Sequence, residues 1–211
     1  MSFTHTFSKK EEIANAITHG IGLLLSIAAL VLLIITATSI GSSWYIVSFS
    51  IYGGTMILLY LSSSLLHSLP KGKVKDFFEF LDHSAIFLFI AGTYTPFILT
   101  VLRGTLGWTL FGVIWSLALF GILFKIFFLK RYLYTSTILY ILMGWLVVIA
   151  WEPLSNALTP ISLLFLVMGG ILYTIGAIFY VWRGFPFHHA VWHLFVIFGS
   201  VCHFFSIIQL V

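Results

Sequence analysis

Ser63 and His67 stand four residues apart near the end of one long apolar stretch, so on a helix they share a face. Asp82 and His83 open the next such stretch, and His188, His189 and His193 open the last one. His189 and His193 are again four apart. Imidazole is a good zinc ligand, and a catalytic zinc uses three protein ligands with one open position. Three histidines and an aspartate, brought to one depth by three helices, would suit that ion. Two ligands at i and i+4 of one helix is also the spacing of HExxH sites. Here the motif is His189-Ala190-Val191-Trp192-His193, with no glutamate between the histidines. Any general base must come from elsewhere, and Asp82 is the obvious candidate. The same histidines could instead be hydrogen-bonded polar caps at a membrane interface; spacing alone leaves both readings open.

A second polar group opens the first apolar stretch: Glu12, Asn15, Thr18 and His19. Positions 12, 15 and 19 follow i, i+3 and i+7, a single helical stripe. Glu11 and Glu12 are accounted for by the dipole of a helix amino terminus; an inward-facing Asn15 and His19 are not. His203 lies ten residues beyond His193, about 15 Å deeper by helical rise, and is expected to make a structural contact in the bundle. His5, in the polar tail, is assigned no role. Cys202, the single cysteine, excludes an intrachain disulfide and any CxxC motif, and reads as a buried, inert thiol.

The elements that would position these groups are legible from composition. Of 211 residues, 61% are hydrophobic and 8% charged, with a mean hydropathy of +1.13. A soluble domain carries about 25% charged residues to cover its surface, so this exterior must meet lipid. A helix crossing the ~30 Å hydrocarbon core needs about 20 apolar residues. Seven stretches qualify, at roughly 14–38, 44–68, 83–102, 106–129, 132–151, 160–182 and 188–210, all within a single transmembrane domain. Their continuous apolarity excludes barrel strands, which would alternate. The expected fold is an all-α, seven-helix bundle in the cell membrane. No cleavage site follows the first stretch, which is therefore expected to be retained.

Orientation follows from Lys and Arg, which concentrate in cytoplasmic loops. Lys9, Lys10, Lys71, Lys73, Lys75, Lys125, Lys130, Arg131 and Arg183 fall on one side and Arg103 alone on the other. Nine against one places the amino terminus in the cytoplasm and the carboxyl terminus outside. The net charge of +4 then reflects topology rather than nucleic-acid binding. Lys125, about one turn before the end of its stretch, is expected to snorkel to the cytoplasmic face. Gly92-Thr93-Tyr94-Thr95-Pro96 predicts a kink in the third helix. Gly53-Gly54, Gly169-Gly170 and Gly176 predict close helix approaches. Trp44, Tyr45, Trp108, Trp151 and Trp182 fit aromatic belts.

Glu12-x-x-Asn15-x-x-Thr18-His19, Ser63-x-x-x-His67, Leu81-Asp82-His83-Ser84 and His189-x-x-x-His193-Leu194-Phe195-Val196 together resemble the hemolysin III family, the bacterial branch of the progestin and adipoQ receptor superfamily. The resemblance covers essentially the whole chain. It implies an intramembrane zinc near the cytoplasmic face, with His67, His189 and His193 as ligands. Asp82 and Ser63 would hold and polarise the water at that metal. His83 would be a spare ligand or a hydrogen-bonding neighbour, and His188 raises a one-residue ambiguity of register. Related eukaryotic receptors and alkaline ceramidases look like zinc hydrolases of lipid amides, which suggests the reaction class.

Three functions follow. One is zinc-dependent hydrolysis of a lipid amide or ester, with an acyl chain lying among the second, third and seventh helices. Another is a membrane-state sensor in which zinc ties helices together. The last is a lytic protein, for which no helix offers a continuous polar face. An open coordination position facing a lipid-sized cavity would favour catalysis. The first reading, within membrane lipid homeostasis, is the one expected.

Overall fold

The computed structural model describes residues 7–129 and 131–211, so His5 and Lys130 lie outside the described residues. Every regular element among the described residues is helical. Seven helices are long and apolar enough to cross a bilayer: α1 (Lys9–Ile40), α2 (Ser43–Ser68), α3 (Lys73–Val101), α4 (Thr105–Phe128), α5 (Leu133–Ala157), α6 (Pro160–Val181) and α7 (His188–Ile208). This is a multi-pass membrane protein. Consecutive helices pack against one another and α7 returns to α1, closing the ring, while α3 also reaches α5. The core helix is α3, the most buried of the seven, whereas α1, α4, α5 and α6 are much less buried.

Local chemistry sets the ends. The Ser8 hydroxyl accepts from the Glu11 amide at 3.3 Å, and the Glu11 carboxylate accepts from the Ser8 amide at 2.8 Å. That capping box starts α1. Gly41, left-handed at φ 72°, ends it and donates to the Thr38 carbonyl. Thr159 caps α6 through the Ser162 amide, with Pro160 at the first helical position.

The outward faces are apolar, with Ile17, Leu24, Leu119 and Phe127 exposed. Much of what is polar points inward. Lipid supplies no hydrophobic drive between helices, so packing and hydrogen bonds must join them. Ser162 and Ser206 join α6 to α7 through mutual hydroxyl-to-carbonyl bonds of 3.0 and 2.8 Å. A side chain on Gly53 would strike Leu30, so α1 and α2 meet there without one, whereas Gly54 faces open space. Gly169 likewise yields to His203, whose Nε2 lies 3.2 Å from the Leu166 carbonyl. That bond is the structural contact expected of His203.

The structure departs from the sequence reading in several places, and α1 starts at Lys9 rather than 14. α3 begins at Lys73 rather than 83, because Lys73 to Phe80 is helical although too charged to pass a test for continuous apolarity. Asp82 and His83 therefore sit in its third turn. α5 extends past 151 to Ala157, through a 3-10 stretch at Trp145–Ala150. The Tyr94 hydroxyl donates toward the Met143 and Gly144 carbonyls and accepts from the Val147 amide at 2.8 Å, satisfying that irregular backbone. In α3, a π-helical turn at Phe97–Val101 follows Pro96, where the sequence places a kink. Finally, Lys125 does not snorkel: it is 1% exposed and donates to Ser136 Oγ at 2.8 Å. A polar acceptor on the neighbouring helix holds it inside.

Of the belt candidates, Trp44, Trp108, Trp151 and Trp182 are exposed. Tyr45 instead donates to the Leu210 carbonyl at 3.0 Å.

Candidate metal centre

His67 lies in the last turn of α2, and His189 and His193 lie in the first two turns of α7. One ligand nitrogen from each falls within 4.8 Å of the other two. Ring centroids are 5.1 Å apart for His67 and His189, 5.4 Å for His67 and His193, and 4.5 Å for His189 and His193. Four-residue spacing puts both α7 rings on one face, and the α1–α7 contact turns that face inward.

Two of the three rings are held from behind by α1. His67 Nδ1 lies 2.6 Å from Glu12 Oε2, and the other oxygen of that carboxylate accepts from Lys75 Nζ at 2.8 Å. His193 Nδ1 lies 3.0 Å from Thr18 Oγ1. Such outer partners fix ring orientation and tautomer at metal sites. His67 Nε2 is buried and has no partner in the protein, as a nitrogen awaiting an ion would. Zinc bonds of about 2.0–2.1 Å would set tetrahedral nitrogens about 3.4 Å apart, so modest ring rotations close the set. These residues fit a zinc ion.

Two cavities meet at this cluster. The inner one, about 120 Å³, is walled by apolar groups including Ile86, Phe89, Ile90 and Val196. The outer one, about 470 Å³, is charged, bordered by Lys71, Lys75, Asp76, Glu79 and Arg183. Asp82, His83, Tyr180 and His189 border both. His193 and Ser63 face the inner cavity and His67 the outer one. Phe7 closes over the outer side, with its ring 5.0 Å from His189 and 5.7 Å from His67.

The remaining candidates separate. Asp82 stands outside the ligand cluster, with Ser63 beside it. His83 is engaged on both nitrogens: Nδ1 lies 2.7 Å from the Glu79 carbonyl and Nε2 3.2 Å from the Tyr180 hydroxyl. In the structure it is a hydrogen-bonding neighbour of Tyr180 and stands outside the three-histidine group. His188 turns toward α6, with Nδ1 3.3 Å from the Phe179 carbonyl, so the register of the cluster is 189 and 193. Asn15 and His19 are buried beside the cluster, and His19 stacks on His193 at 3.4 Å. Lys75, Phe7 and the orienting role of Thr18 are missed in the sequence reading; only Thr18, named there in the polar group that opens the first apolar stretch, carries a signal.

Residues 7–204 match the family model described as Haemolysin-III related. The chain belongs to that family. It is 59% identical over 202 residues to the Hemolysin-3 homolog of Bacillus subtilis, covering 96% of this chain and 95% of that protein. It is 57% identical to Hemolysin-3 of Bacillus cereus, covering 94% of this chain and 91% of the relative. At 27% identity it is similar to the human Monocyte to macrophage differentiation factor, over 93% of this chain and 83% of that one. No solved structure matches significantly. Among haemolysin-III-related proteins, then, this one carries a buried three-histidine cluster able to coordinate a metal ion.

Proposed function

We propose that this haemolysin-III-related protein is a zinc-dependent hydrolase that cleaves amide or ester bonds of membrane lipids at the cytoplasmic leaflet. One arrangement carries the reading: three histidines converge where an apolar cavity meets a charged vestibule, and Asp82 borders both. Zinc held there would polarise a carbonyl and bring the pKa of water toward ~7. The chain's own groups do the rest. Glu12 and Thr18 keep the rings of His67 and His193 in register. The Asp82 carboxylate takes the proton of the attacking water and returns it to the amine or alcohol that departs as the C–N or C–O bond breaks, with the Ser63 hydroxyl positioning that water from the side. The apolar walls hold the acyl chain and leave its carbonyl at the level of the histidines.

Lys71, Lys75 and Arg183 border the vestibule, and the bias of nine basic residues to one supports a cytoplasmic site with the amino terminus inside and the carboxyl terminus outside. The name Hemolysin-3 speaks of lysis; we read lysis as a consequence of disturbed lipid composition, and the cellular role as lipid homeostasis.

The test is fatty-acid release from a panel of lipid amides and esters by purified, zinc-loaded protein, beside His189→Ala. Release by the wild type and none by the variant is expected. Equal release by both, or none from any amide or ester, sinks the reading.

A further inference from the structure

His19 is 3% exposed, yet both of its ring nitrogens are without a hydrogen-bond partner in the protein. Its ring is not loose. One face stacks on His193 at 3.4 Å and 15°, and Tyr60 meets it edge-on at 5.0 Å and 87°. A neutral imidazole always carries one N–H donor and one acceptor, and burying either unpaired is costly. Asn15, one turn earlier on the same stripe, is fully buried with both polar atoms of its carboxamide unpaired. The cluster explains neither residue, because the ligand set is complete without them. Two buried side chains of α1 therefore stand beside the site with unused hydrogen-bonding capacity.

His19 borders the inner cavity beside His193, and apolar Ile86, Phe89 and Ile90 line the same cavity. An occupant of that cavity must be apolar along most of its length and polar where the histidines stand. An acyl chain ending in a carbonyl or carboxylate has that form, and its oxygen is an acceptor. We infer that His19 is the hydrogen-bond donor that meets the acyl oxygen of the ligand, working from α1 in the cavity that Asp82 of α3 also lines. The inference rests on the hydrolase reading for the identity of the acyl group, and its consequence for turnover is transition-state stabilisation of the kind fixed donors give a developing oxyanion. Stacking on His193 sets the donor at a fixed offset from a metal ligand, so no reorganisation is needed when the ligand arrives.

The experiment measures binding of tritiated palmitic acid to the purified, zinc-loaded protein, alongside zinc content. His19→Phe keeps the ring stack and removes both nitrogens; His19→Gln restores a donor of similar reach. Zinc content should stay at the wild-type level in both. Affinity should fall about tenfold to a hundredfold in His19→Phe, the worth of a hydrogen bond to a charged group, and recover to within about threefold in His19→Gln. Should His19→Phe fail to fold, His19→Leu is read in its place. Wild-type affinity in the variant without nitrogens overturns the inference and leaves water as the partner of His19. Loss of zinc from both His19→Phe and His19→Gln overturns it as well, making His19 a support for the metal site. A wild-type protein that takes up no palmitic acid overturns it outright. Palmitic acid bound through His19 by a protein that hydrolyses no lipid would sustain the inference while the hydrolase reading fails.

Discussion

Nδ1 of His67 donates to Oε2 of Glu12 at 2.6 Å, across the gap between α2 and α1. A carboxylate only accepts hydrogen bonds, so this contact puts the proton on Nδ1 and leaves the Nε2 lone pair for an ion. Lys75 on the second oxygen of Glu12, at 2.8 Å, keeps the carboxylate in place. Glu12→Gln retains the shape but not the charge, and its amide can present a donor to Nδ1. Zinc affinity should fall about 10- to 100-fold, the usual cost of losing such an outer partner. His67→Ala should abolish binding at the same chelator concentration. Competition with a chromophoric chelator measures both, and unchanged affinity in Glu12→Gln would show that the contact has no part in metal binding.

Asp82 separates a catalyst from a strut. It stands outside the ligand cluster but borders both cavities. Asp82→Asn keeps size and hydrogen-bonding reach and removes basicity. Zinc content should remain near one per chain, and lipid hydrolysis should fall by about two to four orders of magnitude, as expected for loss of a general base. Metal content and fatty-acid release are measured on the same preparation. Retained zinc with undiminished hydrolysis counts against Asp82 as base, and loss of zinc makes it a ligand.

The seven spans are legible in the sequence because burial in lipid demands about 20 apolar residues without a break, and this chain supplies seven such runs. His189 and His193 are legible as a pair because i and i+4 fix a shared helical face whatever the tertiary packing. Elsewhere tertiary partners decide. Lys73 to Phe80 is too charged for a span, yet it continues α3 outward beside the vestibule. Lys125 has the position of a snorkelling lysine, but in the fold it meets Ser136 on α5, a partner that local sequence does not show. The pairing of Thr18 with His193 spans 175 residues, a contact that local spacing does not encode. His83 and His189 both look like ligands in the sequence, but Tyr180 and the Glu79 carbonyl take up the nitrogens of the first.

The orientation of the bundle is open to direct test. Lys71, Lys75 and Arg183 border the same vestibule as His67 and His189, so the charge bias and the metal site share one end. Reporter fusions within 70–73 and 183–187 should be cytoplasmic, and fusions within 41–43, within 103–104 and after 211 should be external. An external reporter at 183–187 would move the site to the opposite leaflet.

Lys125 and Ser136 form a buried polar tie between α4 and α5. Lys125 Nζ donates to Ser136 Oγ at 2.8 Å, and that hydroxyl donates onward to the Tyr132 carbonyl at 3.1 Å. The ammonium also lies 6.0 Å from the centre of the Tyr140 ring. Ser136→Ala removes the acceptor and leaves a buried charge short of a partner, which should cost about 1–3 kcal/mol. Lys125→Met removes the charge itself; the Ser136 hydroxyl keeps its bond to Tyr132, and a flexible apolar side chain fills the space. Replacing a buried charge by a hydrophobe of similar volume is often neutral or stabilising, so Lys125→Met should be the milder change. In the Lys125→Met background, Ser136→Ala should cost almost nothing, because no ammonium remains to be stranded. Unfolding of the four proteins in one detergent gives the double-mutant cycle, and contacting residues typically couple by about 0.5–3 kcal/mol. Strict additivity would mean that the 2.8 Å contact contributes nothing to stability, and that the inward turn of Lys125 has another cause.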